Sequence, residues 1–322
     1  MRIEGLERVD FSKGGGLVPV IVVDAATRQI LMLGYADREA LRRTVETGYA
    51  HFYSRSRGRL WMKGESSGNK VRVLKVEYDC DSDAIVYYGV PEGPVCHTGK
   101  YTCFHNTLTD DSMKTMWRLI VDAFREAVVY RRKGYGGLDE YRYIVNPLSD
   151  NIPPPSPLLQ SLIADYLASK IGWGRVDKVV APEALGLPIA SLVAERLGAP
   201  LAVVRKRSYP VHGWRAPYAS GYEEGVHYIY GVESGERVVF VDDTVSTGGA
   251  ALSIIGELER HDVNVAAILA SMAKPQYGGV RRLEEKGYRV WRAVDVYLDG
   301  NKVVRLIQPE RGWEAVVEVK EP

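Results

Sequence analysis

Cysteine is scarce in this sequence, which contains only three in 322 residues, at positions 80, 96 and 103. The first eleven residues, MRIEGLERVDF, lack the apolar core of a signal peptide. We therefore expect a cytoplasmic protein, and in the cytoplasm thiols stay reduced. This expectation argues against a disulfide and leaves open what three clustered cysteines do.

A basic surplus and long apolar runs are also absent. The chain has 42 Lys and Arg against 41 Asp and Glu, a net charge of +1, without the basic excess of a nucleic-acid binder. No apolar run approaches the ~18 residues that span a bilayer. We therefore expect neither nucleic acid nor a membrane as a partner. The sequence shows no internal repeat and no low-complexity tract.

The N-terminal third, by contrast, is rich in strand patterns. Residues 16–35 predict two strands around a turn at 25–28. Asp37 and Gly48 are placed to begin and end a helix that carries an apolar stripe. Further strands are predicted at 50–55, 59–64, 73–80 and 84–90, the last two as a hairpin. We therefore expect a strand-rich α+β domain over residues 1–108.

Beyond residue 112 the pattern changes to alternating helices and strands. One helix is predicted over 113–134, and a proline-stiffened loop follows at 146–157. Later helices are predicted at 158–172, 188–198 and 249–261, and strands at 177–183, 200–206, 236–243 and 263–273. Such alternation indicates a mainly parallel sheet flanked by helices. We therefore expect a second, α/β domain over residues 109–322.

Three aspartates alternate with a cysteine at the end of the predicted strand 73–80. Period-2 alternation puts Asp79 and Asp81 on one face, and Asp83 lies in the turn just beyond. Three converging carboxylates suit a hard cation such as Mg²⁺. Cys80 falls on the opposite face, with the apolar residues of the strand. The pattern therefore predicts two different metals, one on each side of the strand.

The three cysteines, Cys80, Cys96 and Cys103, fit a catalytic zinc site better than a structural one. Structural sites usually close with four ligands, whereas catalytic sites hold three and leave a position for water. His97, next to Cys96, is either a further ligand or a general acid/base. Three buried, inert cysteines are the alternative, and their clustering close to carboxylates argues against it.

These motifs resemble those of the phosphoribosyl-AMP cyclohydrolase family. The resemblance covers residues 10–105 and includes DCDSDA, GPVCHTGKYTCF and HFYSRSRGRLWMKGESSGN. It implies opening of the adenine ring of phosphoribosyl-AMP between N1 and C6, with Mg²⁺ on the three aspartates. It also implies a homodimer with zinc at the subunit interface, held by Cys80 of one subunit and by Cys96 and Cys103 of the other. The alternative is that the zinc is structural and that the domain serves only for dimerisation.

The residue types of one segment suggest where the substrate binds. The segment 54–69 contains arginines, a lysine, serines and glycines, which suit phosphate binding. Its candidate substrate contacts are Trp61, Lys63, Glu65 and Ser67. Trp61 is alternatively a core residue, and the arginines are alternatively a solvated loop.

A second motif, RVVFVDDTVSTGGAAL at 237–252, joins an apolar strand to a helix through two acids and a Thr/Ser/Gly turn. Backbone N–H groups in such a turn bind an anion, and the acids can accept hydrogen bonds from a sugar diol. The stretch resembles the PRPP-binding motif of type I phosphoribosyltransferases. This implies that Asp242 and Asp243 contact the ribose hydroxyls, directly or through Mg²⁺. The residues implied to cradle the 5′-phosphate are Thr244, Ser246, Thr247, Gly248 and Gly249.

The wider segment 113–310 resembles purine phosphoribosyltransferases of the archaeal hypoxanthine/guanine type, which are akin to adenine enzymes. The resemblance implies a pyrophosphate loop with Glu183, Ala184 and Gly186, and a mobile flap at 206–222. Arg205 and Lys206 would neutralise the departing pyrophosphate. The purine base stays open, with 273–279 as a candidate pocket. A regulatory module that only senses PRPP is the alternative to a transferase.

Overall fold

The computed structural model describes residues 5–135, 137–300 and 303–320. The chain divides into two compact units, one ending at Thr109 and the other beginning at Asp110, next to the predicted boundary. No helix within these ranges is long and apolar enough to cross a membrane.

The N-terminal domain is built on a small mixed sheet. Its elements are β1 (Val18–Asp24), β2 (Ile30–Ala36), α1 (Arg38–Thr47), β3 (His51–Ser54), β4 (Arg59–Met62), β5 (Val71–Tyr78) and β6 (Ile85–Pro91). Four strands form a sheet in the order β2-β1-β6-β5, in which only β1 and β6 are parallel. Strands β3 and β4 form a separate antiparallel ribbon. The predicted strand-rich character is confirmed.

Helix α1 shows how local sequence sets its ends. The Asp37 side chain accepts a hydrogen bond from the Ala40 backbone N–H at 2.7 Å, which caps the first turn. Gly48 ends the helix at φ 74°, in the left-handed region that glycine adopts without strain. Ala40, Leu41 and Thr44 are buried against the domain core. The predicted start, stop and apolar stripe of this helix agree with the structure.

Strand β5 departs from the predicted strict alternation. The pairing register with β6 shifts between Val73 and Lys75, so that Leu74 interrupts the ladder. Leu74 is 50% exposed and Tyr78 is 42% exposed, although both were predicted on the apolar face. The strand ends at Tyr78, and Cys80 lies beyond it in an exposed turn. The prediction that Cys80 projects from the apolar side of a strand is therefore wrong.

The C-terminal domain contains a seven-stranded sheet. Its elements are α2 (Ser112–Phe124), β7 (Val128–Lys133), β8 (Glu140–Val145), α3 (Pro157–Ser169), β9 (Lys178–Pro182), α4 (Leu187–Leu197), β10 (Leu201–Val204), β11 (Trp214–Ala219), β12 (Glu224–Ile229), β13 (Arg237–Val245), α5 (Gly249–Arg260), β14 (Asn264–Ala273), α6 (Gly279–Glu285), β15 (Val290–Asp299), β16 (Val303–Gln308) and β17 (Trp313–Glu318). The sheet order is β10-β9-β13-β14-β15-β16-β17. The first five strands of this order, β10, β9, β13, β14 and β15, are parallel to their neighbours. Strands β16 and β17 add antiparallel pairs at one edge. The predicted mainly parallel sheet is confirmed.

Strand β13 is apolar on both faces because both faces of the sheet are covered. Val239 and Val241 pack into the core that contains α3 and α4, whereas Val238 and Phe240 pack into the core that contains α5. Parallel strands buried on both sides read as continuous apolar runs. The run ends at Asp242, which places the acids of the second motif at the carboxyl end of a central strand.

The single helix predicted over 113–134 is wrong in its second half. Helix α2 ends at Phe124, and Val128–Lys133 is instead strand β7, paired antiparallel with β8. Val128, Val129 and Tyr130 are β-branched or aromatic and favour a strand once a partner is present. That partner, β8, was not predicted, and neither were β11 and β12.

Candidate functional site

In the turn between β13 and α5, the backbone lies very close to the backbone of a neighbouring segment. Gly248 has φ 75°, and Gly249 begins α5. A Cβ placed on Gly249 would lie 1.9 Å from the carbonyl oxygen of Ala219. Only glycine fits here, and the turn leads directly into a helix N-terminus, a position that favours anions.

A cleft of about 330 Å³ opens at this turn. The predicted residues that line it are Glu183, Ala184, Gly186, Lys206, Asp242, Asp243, Thr244, Ser246, Thr247, Gly248 and Gly249. Arg205 does not line the cleft; its guanidinium lies 3.0 Å from the Glu183 carboxylate. The structure therefore brings together in one chain nearly every residue predicted for PRPP binding.

The two acids at the floor of the cleft are close enough to influence each other. The Asp243 backbone N–H donates a hydrogen bond to Asp242 Oδ1 at 2.9 Å. Burial raises the pKa of both carboxyl groups, and for Asp242 the neighbouring Asp243 charge adds to the rise. A cation or a pair of hydroxyl donors would stabilise the charged forms. The pair is thus suited to a sugar diol or a bridging Mg²⁺.

The loop after β9 lies against these acids. A Cβ on Gly186 would lie 2.8 Å from Asp242 Oδ1 and 3.2 Å from Asp242 Cα, so a larger residue here would displace the acid. The Lys206 backbone N–H donates to Glu183 Oε1 at 2.6 Å, and Lys206 Nζ donates to Glu223 Oε1 at 2.6 Å. Burial opposes ionisation of Glu183, but the hydrogen bonds from Lys206 and Arg205 outweigh it and lower its pKa. The lysine is therefore held at the cleft by carboxylates from two loops.

Three tyrosines also contribute to the lining of the cleft. Tyr141 and Tyr143 of β8 and Tyr222 line it together, and Tyr141 donates a hydrogen bond to Ser246 Oγ at 3.0 Å. Lys274, in the predicted base pocket 273–279, is 2% exposed and lies with Nζ 4.1 Å from the centre of the Tyr141 ring. Burial lowers the pKa of Lys274 to about 7. Segment 273–279 itself does not line the cleft.

Sequence reasoning missed five charged or aromatic residues that line the cleft: Arg132, Tyr141, Tyr143, Glu223 and His227. Three of them belong to β7 and β8, where one helix was predicted or no element at all. The alternating pattern EYRYIV at 140–145 was the available signal for β8. His227 belongs to β12, and nothing local distinguishes it from an ordinary strand residue.

The three aspartates of the N-terminal domain do converge. One carboxylate oxygen each from Asp79, Asp81 and Asp83 lies within 4.8 Å of the others, the one such metal-capable group in the described ranges. Lys13 Nζ lies 2.7 Å from Asp81 and 3.2 Å from Asp83. Its ammonium lowers the pKa of Asp81. The donor set, three carboxylates of which Asp79 and Asp81 are exposed and Asp83 is partly buried, fits Mg²⁺.

Two of the three predicted zinc ligands lie together. Cys96 is 6% exposed, with Sγ 3.1 Å from Thr98 Oγ1, and it interacts with Cys103. Hydrogen bonding from Thr98 lowers the pKa of Cys96, whereas burial and the neighbouring Cys96 raise that of Cys103. Within the described part of the chain, Cys80 does not lie close enough to the other two thiols for the three to form a possible metal site. The structure thus assembles two of the three thiols.

Hydrogen bonds to β1 and β2 hold the loop that carries these thiols. Tyr101 donates to Asp24 Oδ2 at 2.5 Å and also contacts Thr27 Oγ1 at 2.8 Å. The Cys103 backbone N–H donates to the carbonyl oxygen of Leu31 at 2.8 Å. His97 is exposed, with Nδ1 4.0 Å from Cys96 Sγ. The loop therefore presents both sulfurs and the imidazole from a fixed base.

The predicted substrate contacts of this domain are spread along β4 and the turn after it. Trp61 packs on the buried Phe52 ring at 5.2 Å between centroids, so its core role is real. Burial lowers the pKa of Lys63, and the electrostatic influence of Cys103 and Cys96 opposes that shift. Glu65 and Ser67 accept hydrogen bonds from nearby backbone N–H groups and are exposed.

Comparisons with known proteins agree with this division. The family model described as phosphoribosyl-AMP cyclohydrolase matches residues 32–105, and the phosphoribosyl transferase domain model matches residues 156–300. A phosphoribosyl-AMP cyclohydrolase of Nitrosopumilus maritimus is 54% identical over 103 residues, 32% of this chain and 95% of that protein. A histidine biosynthesis bifunctional protein HisIE of Pyrococcus furiosus is 46% identical over 136 residues, 41% of this chain and 65% of that protein.

Among solved structures, an adenine phosphoribosyltransferase of Leishmania donovani is 21% identical, with a TM-score of 0.46, over 58% of this chain and 81% of that one. The two family-model matches confirm, at the level of domains, the resemblances found for the two halves of the sequence, and both domains are of enzymatic families. Through its N-terminal domain the chain belongs to the phosphoribosyl-AMP cyclohydrolase family, and its C-terminal domain is a phosphoribosyltransferase domain.

Proposed function

We propose that this chain is a bifunctional enzyme. The N-terminal domain opens the adenine ring of phosphoribosyl-AMP between N1 and C6 as a step of histidine biosynthesis. The C-terminal domain transfers the phosphoribosyl group of PRPP to a purine base. The observation that carries the second activity is the single cleft that joins an acid pair, an anion-binding turn and Lys206. The names of the curated relatives support the first.

In the N-terminal domain, Cys96 and Cys103 would hold zinc, and the three aspartates would hold Mg²⁺. Zinc, when bound, would supply hydroxide at neutral pH for addition to C6. His97 stands beside Cys96 and would carry a proton to the ring nitrogen that leaves. Lys63, whose ammonium interacts electrostatically with both thiols, would contact the substrate. The aspartates' Mg²⁺ would neutralise substrate phosphate.

The third zinc ligand is proposed to come from a second copy of the chain. Cys80 is exposed and apart from the other two thiols, as a residue that completes a partner's site would be. A homodimer would then hold two zinc sites, each with Cys80 from one subunit.

Co-expression of Cys80→Ser and Cys103→Ser chains with different affinity tags tests this sharing. Each variant alone is expected to be inactive in ring opening. In a random mixture half of the dimers are mixed and each keeps one intact site of two, so about one quarter of the wild-type activity is expected to return. Purified mixed dimers without activity would refute a shared site.

In the C-terminal domain, the turn 244–249 would hold the 5′-phosphate, and Asp242 and Asp243 the ribose hydroxyls. The bond from C1 of the ribose to pyrophosphate breaks, its electron pair leaves with pyrophosphate, and a purine ring nitrogen takes its place on C1. Lys206 and Mg²⁺ would stabilise the charge that develops on pyrophosphate, while Arg205, which does not line the cleft, would act only through its pair with Glu183. The proton of the purine nitrogen would leave to solvent.

Two assays on the intact chain test the two activities. Metal analysis together with turnover of phosphoribosyl-AMP tests the first, and a chain without both zinc and turnover would refute it. Release of pyrophosphate from PRPP with adenine, hypoxanthine or guanine tests the second. Binding of PRPP without release for any base would instead favour a PRPP-sensing module.

A further inference from the structure

His227 is a buried histidine that lines the cleft of the C-terminal domain without a polar partner. It lies on β12 and is 2% exposed. Nδ1 is enclosed and has no hydrogen bond, and no other described residue bonds to the remaining ring nitrogen. An enclosed polar atom without a partner has lost its hydrogen bonds to water without replacement, so a native structure rarely keeps one without a reason.

The surroundings of His227 keep its ring fixed and neutral. The ring stacks on Tyr218, with centroids 3.9 Å apart and an angle of 11° between the planes. The Tyr218 hydroxyl donates to Glu223 Oε1 at 2.9 Å, the same oxygen that accepts from Lys206 Nζ. Burial and the Lys206 charge lower the pKa of His227 to about 4. A neutral imidazole always carries one N–H donor and one acceptor.

The charged groups around His227 identify which part of a ligand it would meet. Lys206, Glu223 and Glu183 are the charges that act on it. Lys206 and Glu183 belong to the side of the cleft assigned to pyrophosphate, whereas the turn 244–249 is assigned to the 5′-phosphate. A core-packing role would be served as well by an apolar ring on Tyr218, and it leaves the unpartnered nitrogen unexplained.

We propose that His227 donates a hydrogen bond to the pyrophosphate group of PRPP, beside Lys206. This inference rests on the proposed phosphoribosyl transfer. Pyrophosphate presents only acceptor oxygens, so it satisfies the imidazole N–H, and the hydrogen bond has a charged acceptor. The stack on Tyr218 fixes the ring, and through Glu223 the same hairpin holds the ammonium of Lys206. Binding of pyrophosphate would draw both donors to one group.

Two substitutions in the full-length chain separate hydrogen bonding from packing. His227→Phe keeps a ring to stack on Tyr218 but has no donor, whereas His227→Gln keeps an N–H donor. Isothermal titration with magnesium pyrophosphate is expected to show about 10-fold weaker binding for His227→Phe, because a hydrogen bond to a charged group is lost. His227→Gln is expected to stay within about 3-fold of wild type. Binding of ribose 5-phosphate is expected to be unchanged in both.

Controls make each outcome decisive. Ring-opening activity and melting temperature report whether the chain is intact, and His227→Leu serves as a second variant without a donor. Equal pyrophosphate affinity in wild type and His227→Phe would overturn the inference, as would equal losses in His227→Phe and His227→Gln. A wild-type chain that binds neither pyrophosphate nor PRPP would instead refute the phosphoribosyl-transfer function itself.

Discussion

The two domains assemble their candidate sites in different ways. The C-terminal domain gathers an acid pair, an anion-binding turn and a lysine around one cleft within a single chain. The N-terminal domain gathers three aspartates in one place and two cysteines in another, and leaves Cys80 apart from the other thiols. The C-terminal domain therefore brings its candidate PRPP-binding groups together in one cleft, whereas the N-terminal domain brings only two of its three candidate zinc ligands together.

The contrast follows from where the functional residues lie in the chain. Residues 242–249 are contiguous and span one strand–helix junction, so forming β13 and α5 also forms most of the site. Cys80 precedes strand β6 and Cys96 follows it, so no single helix, strand or turn contains both residues. The first kind of site forms when its own domain folds, whereas the second, as proposed, also needs a contact with a second copy of the chain.

The largest expected effect is the loss of one thiol. Cys103→Ser is expected to lower ring opening by at least about 10³-fold, because even contacts outside the ligand shell are worth about 10–100-fold at metal sites. Phosphoribosyl transfer is expected to remain at the wild-type level, because all residues of that cleft lie in the other domain. Both activities are measured on one preparation. Ring opening that survives would contradict the catalytic role of zinc.

Gly249→Ala is expected to impair phosphoribosyl transfer and to leave ring opening at the wild-type level. The new Cβ would collide with the carbonyl oxygen of Ala219, so the start of α5 must move and the anion-binding turn with it. We expect the KM for PRPP to rise by about 10²-fold, comparable to the loss of a well-placed donor. Steady-state kinetics of pyrophosphate release measure this.

Gly256→Ala is the matched control in the same helix. No atom lies within 4 Å of the Cβ that it would add, and the position is inside α5. It is expected to leave the KM unchanged and to stabilise the domain by about 0.5–1 kcal/mol, since glycine is a poor helix former. A similar KM for both variants would argue that the turn does not hold phosphate.

A smaller effect is expected where the thiol loop is attached. Tyr101→Phe removes the hydroxyl that joins this loop to the buried Asp24 and to Thr27. Leaving Asp24 without this donor is expected to cost about 1–3 kcal/mol of unfolding free energy. Urea denaturation followed by loss of ring opening measures it.

Tyr35→Phe is the control for that substitution, because the Tyr35 hydroxyl has no hydrogen bond to another residue of the described ranges, and the ring keeps its contact with Arg55. It is expected to change the unfolding free energy by less than about 0.5 kcal/mol. Equal behaviour of the two variants would show that the loop is held by its backbone contacts alone.

The sequence allowed prediction of what is local and not of what depends on a distant partner. Helix α1 is bounded by its own Asp37 and Gly48, and the junction 242–249 carries its turn and its acids together. Residues 128–133 were misassigned because the strand needs β8 as a partner. Cys80 was misplaced because β5 ends at Tyr78, so the strand alternation does not reach it. The placement of His227 in the cleft depends on the pairing of β11 with β12, which its own neighbours do not reveal.

The smallest expected effect is at the cap of α1. Asp37→Ala removes the acceptor of the Ala40 N–H and is expected to destabilise the N-terminal domain by about 1 kcal/mol, because Ala cannot cap. Asp37→Asn keeps the acceptor oxygen and is expected to cost less than half as much. Hydrogen exchange of the first-turn amides measures the change locally, and the amides of α5 serve as the internal reference. Since the cap acts within one helix, exchange in α5 is expected to be unchanged; equal acceleration in both helices would mean that the two domains unfold as one unit.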